Sequence, residues 1–179
     1  METIYLAGYH GVGKTMVGKL IASRKELKFV DTDSFIEKME NKSREEIIES
    51  SGIEHYNSLG KYVLKNSVGQ GSIVSVAADI PKDEENRRLI KTSGRVIYLR
   101  AEAETICENL KDDYKSIPEL KNNFSVFTVE KKIKEMESYY DWLANYIIDI
   151  DNKKINDIFK EALAIYNYAN KVKCHIYIK

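Results

Sequence analysis

Short apolar runs alternate along the chain with longer segments in which apolar positions recur every three or four residues. This alternation predicts parallel strands joined by crossover helices, an α/β architecture. The strand positions are Thr3 to Ala7, Lys28 to Val30, Ser72 to Val76, Arg95 to Leu99 and Tyr146 to Ile150, and several are apolar throughout, as in a sheet covered on both faces. Lys14 to Glu26 carries Val17, Leu20 and Ile21 at helical spacing, and Ser43-Arg44-Glu45-Glu46 forms a capping box that opens another helix. Further helices are predicted over Glu54 to Ser67, Glu84 to Thr92, Glu102 to Lys111, Val129 to Asn145 and Ile155 to Asn170. Asp112 to Ser125 is polar with one proline and reads as a loop or mobile cover whose length makes it a lid. Val172 to Ile178 alternates enough for a short extra strand or an ordered tail. Nothing repeats and no linker interrupts the pattern, so residues 1–179 read as one domain with a short tail over 171–179.

Charge narrows the partners. The chain has 28 Lys+Arg against 28 Asp+Glu, so it lacks the basic footprint of non-specific nucleic-acid or anionic-membrane binding. The longest nearly unbroken apolar stretch, Ile73 to Ala78, is far short of the roughly 20 residues a membrane helix needs. The opening Met-Glu-Thr-Ile-Tyr has no basic region and runs into a strand, which argues against a cleaved signal. The two cysteines, Cys107 and Cys174, form neither a CxxC nor a metal-ligand spacing, and the expectation is a reducing cytoplasm.

The segment richest in chemistry is Gly8-Tyr9-His10-Gly11-Val12-Gly13-Lys14-Thr15, a complete GxxxxGK[ST] after the first strand and at the start of the first helix. Glycines let backbone N–H groups converge on phosphate oxygens, and the helix N-terminus adds partial positive charge. Lys14 is placed to reach the β- and γ-phosphates and Thr15 to ligate Mg²⁺. The expected ligands are therefore a nucleotide and Mg²⁺. A second cluster, Asp31-Thr32-Asp33, lies at the end of the second strand, where side chains face the ligand crevice of an α/β sheet. One carboxylate could order a magnesium-bound water and the other accept the proton of an attacking hydroxyl. Equally, Asp31 could be a helix N-cap and Asp33 a favourable first-turn acid.

With these motifs in order, the chain resembles the shikimate kinase family of small phosphate-loop kinases. The resemblance runs from Ile4 to about Ala164. It includes the Ser43 to Gly52 stretch, Glu84 to Arg87, the Val-Ile-Tyr-Leu strand, Ala103 to Thr105 and Ile147 to Asp149. It implies a three-layer, nucleoside-monophosphate-kinase-like P-loop fold with five parallel strands, a lid closing over ATP, and phosphoryl transfer to a hydroxyl of a small molecule. Carried over by position, Gly8 and Gly11, Val12, Gly13, Lys14, Thr15 and Met16 hold the phosphates, Thr15 and Asp31 serve Mg²⁺, and Asp33 meets the acceptor hydroxyl, with Lys14 and Asp33 the catalytic pair.

Departures from the family pattern concentrate on the acceptor. Tyr56-Asn57-Ser58-Leu59-Gly60 stands where the family has Phe-Arg-x-x-Glu, Ala77-Ala78-Asp79 replaces three glycines, and Met136 falls at a second family arginine. In the lid, Ser116-Ile117-Pro118-Glu119 replaces Arg-Pro-Leu-Leu, leaving Lys111 and Lys115 as the nearest bases, with Lys111 the expected nucleotide contact. Arginine forks that grip a carboxylate are not replaced by point-charge lysines. Asp79 beside Asp33 would repel an anion, so Asp33, Asn57 and Asp79 are expected to bind a neutral or cationic acceptor. The alternatives are a true shikimate kinase and a nucleotide-binding protein without transfer chemistry. Among the remaining residues, His10 reads as solvent-facing and Cys107 as a small buried hydrophobe; Trp142, with Tyr139, Tyr140 and Tyr146, reads as core or interface.

Overall fold

The computed structural model describes residues 2–69 and 71–174. β1 (Thr3–Ala7) is buried along its whole length and pairs in parallel with β3 (Ile73–Ser75) on one side and β4 (Gly94–Arg100) on the other. β2 (Phe29–Asp31) lies outside β3 and β5 (Tyr146–Asp149) outside β4, giving a five-stranded parallel sheet of order β2-β3-β1-β4-β5. Every predicted strand forms, each within two residues of its expected ends. The chain reverses its direction of winding at β1, and the crevice above that strand's carboxyl end is where α/β sheets bind ligands.

Among the described residues, seven α-helices cover the two faces: α1 (Lys14–Lys25), α2 (Thr32–Glu40), α3 (Arg44–Ser67), α4 (Glu84–Ser93), α5 (Ala103–Leu110), α6 (Val126–Leu143) and α7 (Ile155–Cys174). The Ser43 capping box is present, with the hydroxyl accepting from Glu46 N–H and the Glu46 carboxylate accepting from Ser43 N–H. α3 joins the two helices expected around Ser43 and Glu54, with a break at Gly52, whose φ of 83° and ψ of 163° belong to a region essentially reserved for glycine. Nothing lies within 4 Å of a Cβ built there.

Three expectations change. Residues 112–125 are not a featureless polar loop: Ile117 and Leu120 are buried, and the Tyr114 and Phe124 rings stack at 4.3 Å, so apolar anchors sparse in sequence hold the segment down. α7 does not end at Asn170 but continues through Cys174, so the first positions of the expected tail strand are helical. The remaining tail positions, 175–179, lie outside the described residues. Trp142 is 52% exposed beneath Lys91 Nζ, while Tyr140 is core and packs on Tyr98, so the expected aromatic cluster divides between surface and interior. No described helix is long and apolar enough to cross a membrane.

Candidate active site

The phosphate loop closes tightly because its glycines allow it. A Cβ on Gly8, at φ 139°, would lie 2.4 Å from the Leu99 carbonyl oxygen of the neighbouring strand, and Gly13 caps α1 at φ 85°. Asn109 on α5 donates to the Gly11 carbonyl at 2.9 Å, a tie that sequence reading missed, and pins the loop's outer edge. Lys14 Nζ donates to the carbonyls of Gly8 at 2.9 Å and Tyr9 at 2.7 Å, which folds the side chain back over its own loop. Burial brings its pKa down to about 8, with Asp33, Asp31 and Asp79 opposing that fall.

The second strand's end is held in place from below. Buried Thr32 donates to the Ser75 carbonyl and accepts from Ala77 N–H, which locks the residues on either side of it to the end of β3. Asp31 is the N-cap considered for it, with Oδ1 accepting from Ser34 N–H at the start of α2, and its Oδ2 accepts from the Thr15 hydroxyl at 2.6 Å. That hydroxyl and carboxylate are hard oxygen donors facing each other at the helix N-terminus, a set that fits a divalent cation whose other ligands are water and phosphate. Asp33, one helical step on, accepts from the Tyr56 hydroxyl through Oδ1. Burial, and then the Asp33 charge, raise the Tyr56 pKa far above its ordinary value, so the phenol remains a donor and Asp33 an acceptor.

Two cavities flank this row. One, of about 560 Å³, is lined by Gly11, Val12, Gly13, Thr15 and Met16 of the loop together with Thr105, Asn109, Asn152, Lys153 and Ile155. Lys111, expected at the nucleotide, is not among its lining residues: it is exposed and bonded to Glu108 at 2.5 Å, and Lys153 is the lysine that lines the cavity. The other cavity, of about 230 Å³, is lined by Tyr9, Arg44, Asp79, Lys82, Glu119, Lys132 and Met136, among others. Of the expected acceptor residues only Asp79 lines it. The Asn57 carbonyl accepts from Asn86, and Asn57 is not part of the cavity wall.

Asp79 is not the free carboxylate that the sequence suggested. Arg44 Nη2 bonds to its Oδ2 and Lys82 Nζ lies 2.8 Å from its Oδ1, so two cations occupy its two oxygens and the repulsion expected for an anion is lost. Arg44, at the start of α3, also lies over the Tyr56 ring and 3.6 Å from Glu119. Burial opposes its charge, but Asp79, Glu119 and Asp33 outweigh that and raise its pKa. His10 is largely buried rather than solvent-facing, with Nε2 3.4 Å from Glu119. Burial would raise the Glu119 carboxyl, but His10 and Arg44 hold it down at about 2. Ligating atoms of His10, Asp79 and Glu119 lie within 4.8 Å of one another, yet Arg44 already engages both carboxylates, so the cluster is a charge network.

A family model described as shikimate kinase matches residues 10–167. The chain belongs to the shikimate kinase family. Among curated members of the family, the shikimate kinase of Caldanaerobacter subterraneus subsp. tengcongensis is 33% identical over 171 residues, covering 93% of this chain and 96% of its own. That of Persephonella marina is 37% identical over 137 residues, covering 76% and 79%. Among solved structures, the shikimate kinase of Aquifex aeolicus superposes with a TM-score of 0.76 at 25% identity, over 90% of this chain and 94% of that one. The Acinetobacter baumannii enzyme, solved in complex with shikimate, superposes with a TM-score of 0.85 over 100% and 96%, and at 23% identity the likeness is one of fold. The expected P-loop kinase fold and the family resemblance both hold.

Proposed function

We propose that the protein is an ATP-dependent kinase that phosphorylates a hydroxyl of shikimate. One observation carries the reading: Lys14, the Thr15–Asp31 pair and Asp33 gather at the carboxyl end of the sheet, with a large cavity built on the phosphate loop and a smaller one lined by Arg44, whose guanidinium lies over the Tyr56 ring that bonds Asp33. The names of the curated relatives support shikimate over the neutral or cationic acceptor expected from the missing arginines. The pairing of Asp79 with Arg44 and Lys82 removes the electrostatic objection to an anion.

The chemistry follows from the row. The acceptor oxygen attacks the γ-phosphorus, the bond to the ADP oxygen breaks, and the hydroxyl proton passes to a carboxylate oxygen of Asp33, whose Oδ1 is steadied by Tyr56. Lys14 exchanges its two loop carbonyls for phosphate oxygens and spreads its charge over the transferring group. Mg²⁺ held by Thr15 and Asp31 would neutralise phosphate charge. Residues 112–125 act as the lid in this proposal, residues 1–179 form one domain, and the cytoplasm supplies ATP and keeps Cys107 reduced.

The test is ATP consumption by the purified protein with Mg²⁺ and shikimate, followed by identification of the phosphorylated product. Saturable formation of a shikimate monophosphate is expected. No turnover of shikimate, with turnover of a neutral or amino-bearing polyol, would overturn the reading.

A further inference from the structure

The smaller cavity contains two buried polar atoms that make no hydrogen bond, one of which, Arg44 Nη1, has only the longer 3.6 Å approach to Glu119. The other is the Tyr9 hydroxyl, and the two side chains, 8% and 4% exposed by residue, line the same space. Buried donors left unmade are expensive, and a site that keeps two of them in one cavity is shaped for something that supplies the missing acceptor. The formal charges around the cavity balance, with Arg44, Lys82 and Lys132 against Asp79, Glu119 and Glu135. Recognition therefore rests on directed donors rather than on a net field. Asp79 holds the guanidinium by Nη2, and the Tyr56 ring lies against it, so its orientation is set before any ligand arrives.

We propose that Arg44 and Tyr9 form the anion-binding end of the acceptor site and take the acceptor's carboxylate, with Asp79 as the positioning residue that aims Arg44. Resting on the functional reading above, this assigns specificity to residues in the first turn of α3 and in the phosphate loop. The ring that packs under Arg44 is the same one whose hydroxyl bonds Asp33. An acceptor held by its carboxylate at Arg44 would thus present its far side toward Asp33 and the γ-phosphate.

Steady-state kinetics and calorimetric binding of shikimate test this on the full-length wild-type protein, Tyr9→Phe and Arg44→Met/Asp79→Asn. The double variant removes both members of the buried pair, so neither charge is stranded; Tyr9→Phe keeps the ring and decides the matter if the double variant does not fold. We expect the KM for shikimate to rise about 100-fold in the double variant and about fivefold in Tyr9→Phe, with the KM for ATP within about twofold of wild type. The carboxamide analogue of shikimate should be a poor acceptor for wild type and should lose little further in the variants. Unchanged shikimate KM and affinity in the folded variants would overturn the assignment and leave the kinase reading standing. A wild-type protein that neither binds nor phosphorylates shikimate would overturn the kinase reading and this assignment with it.

Discussion

In the proposed mechanism Lys14 reaches its working state only with a phosphate in the loop. Without one, burial brings its pKa to about 8, and its ammonium is shared between two carbonyls. Anionic phosphates favour the charged form, so binding raises the pKa and the sign follows. Below pH 8 the lysine is already protonated and affinity for ATP is flat; above pH 8 binding must take up a proton, and affinity falls about tenfold per pH unit. Calorimetry at pH 9 in buffers of different ionisation enthalpy should register that uptake, and pH-independent affinity from 7 to 9.5 would contradict the assigned environment. Asp33→Asn should lower kcat by a factor on the order of 10²–10⁴ while the KM for ATP stays within about twofold, because only proton acceptance is lost. These residues were legible because a phosphate loop must have its glycines, lysine and threonine contiguous. Arg44 was not, since its partners Asp79 and Glu119 are 35 and 75 positions away along the chain. One local signal was there to find: an arginine in the first turn of a helix sits against the helix dipole, and a residue placed so unfavourably is held by something else. Asn57 misled for the converse reason, since correspondence by position marks where a family residue stands but not which way its replacement faces.

At the scale of elements, α3 carries the proposed acceptor side of the site through its break. The capping box starts the helix, Gly52 interrupts it, and the second half brings Tyr56 under Arg44 and against Asp33. Gly52→Ala has free space for its methyl group and so isolates backbone strain: we expect a loss of about 1–3 kcal/mol in denaturant unfolding. A change below about 0.5 kcal/mol would mean that the break relaxes at no cost. Strand ends were readable to within two residues because parallel strands buried on both faces are apolar throughout and bounded by polar residues. Residues 112–125 were harder. Their anchors, Tyr114, Ile117, Leu120 and Phe124, recur every three or four positions, but the polar residues and the proline between them dominate the composition of the segment and make it read as a loop.

Across the whole molecule, the parallel sheet collects residues from the ends of β1 and β2 at one crevice, while α3 and residues 112–125 supply walls of the smaller cavity, so the candidate site and the fold share a stability. That coupling yields a prediction which separates nucleotide binding from catalysis. A ligand that binds only the folded chain stabilises it by RT ln(1 + [L]/Kd), about 2.7 kcal/mol at a hundredfold excess over Kd. For a chain of this size that corresponds to a rise in Tm of roughly 5–10 °C. Mg²⁺ and a non-hydrolysable ATP analogue should produce that shift in the wild-type protein and in Asp33→Asn alike, since the carboxylate is assigned to the transfer step. Lys14→Ala should abolish the shift, because the loop then lacks the cation that meets the phosphates. The same shift in Lys14→Ala would move the nucleotide away from the phosphate loop and with it the whole row of assignments. A full shift in wild type with no turnover on any hydroxyl acceptor would instead identify a protein that keeps the family's nucleotide site and has lost its transfer step, the one outcome in which the fold persists and the kinase chemistry does not.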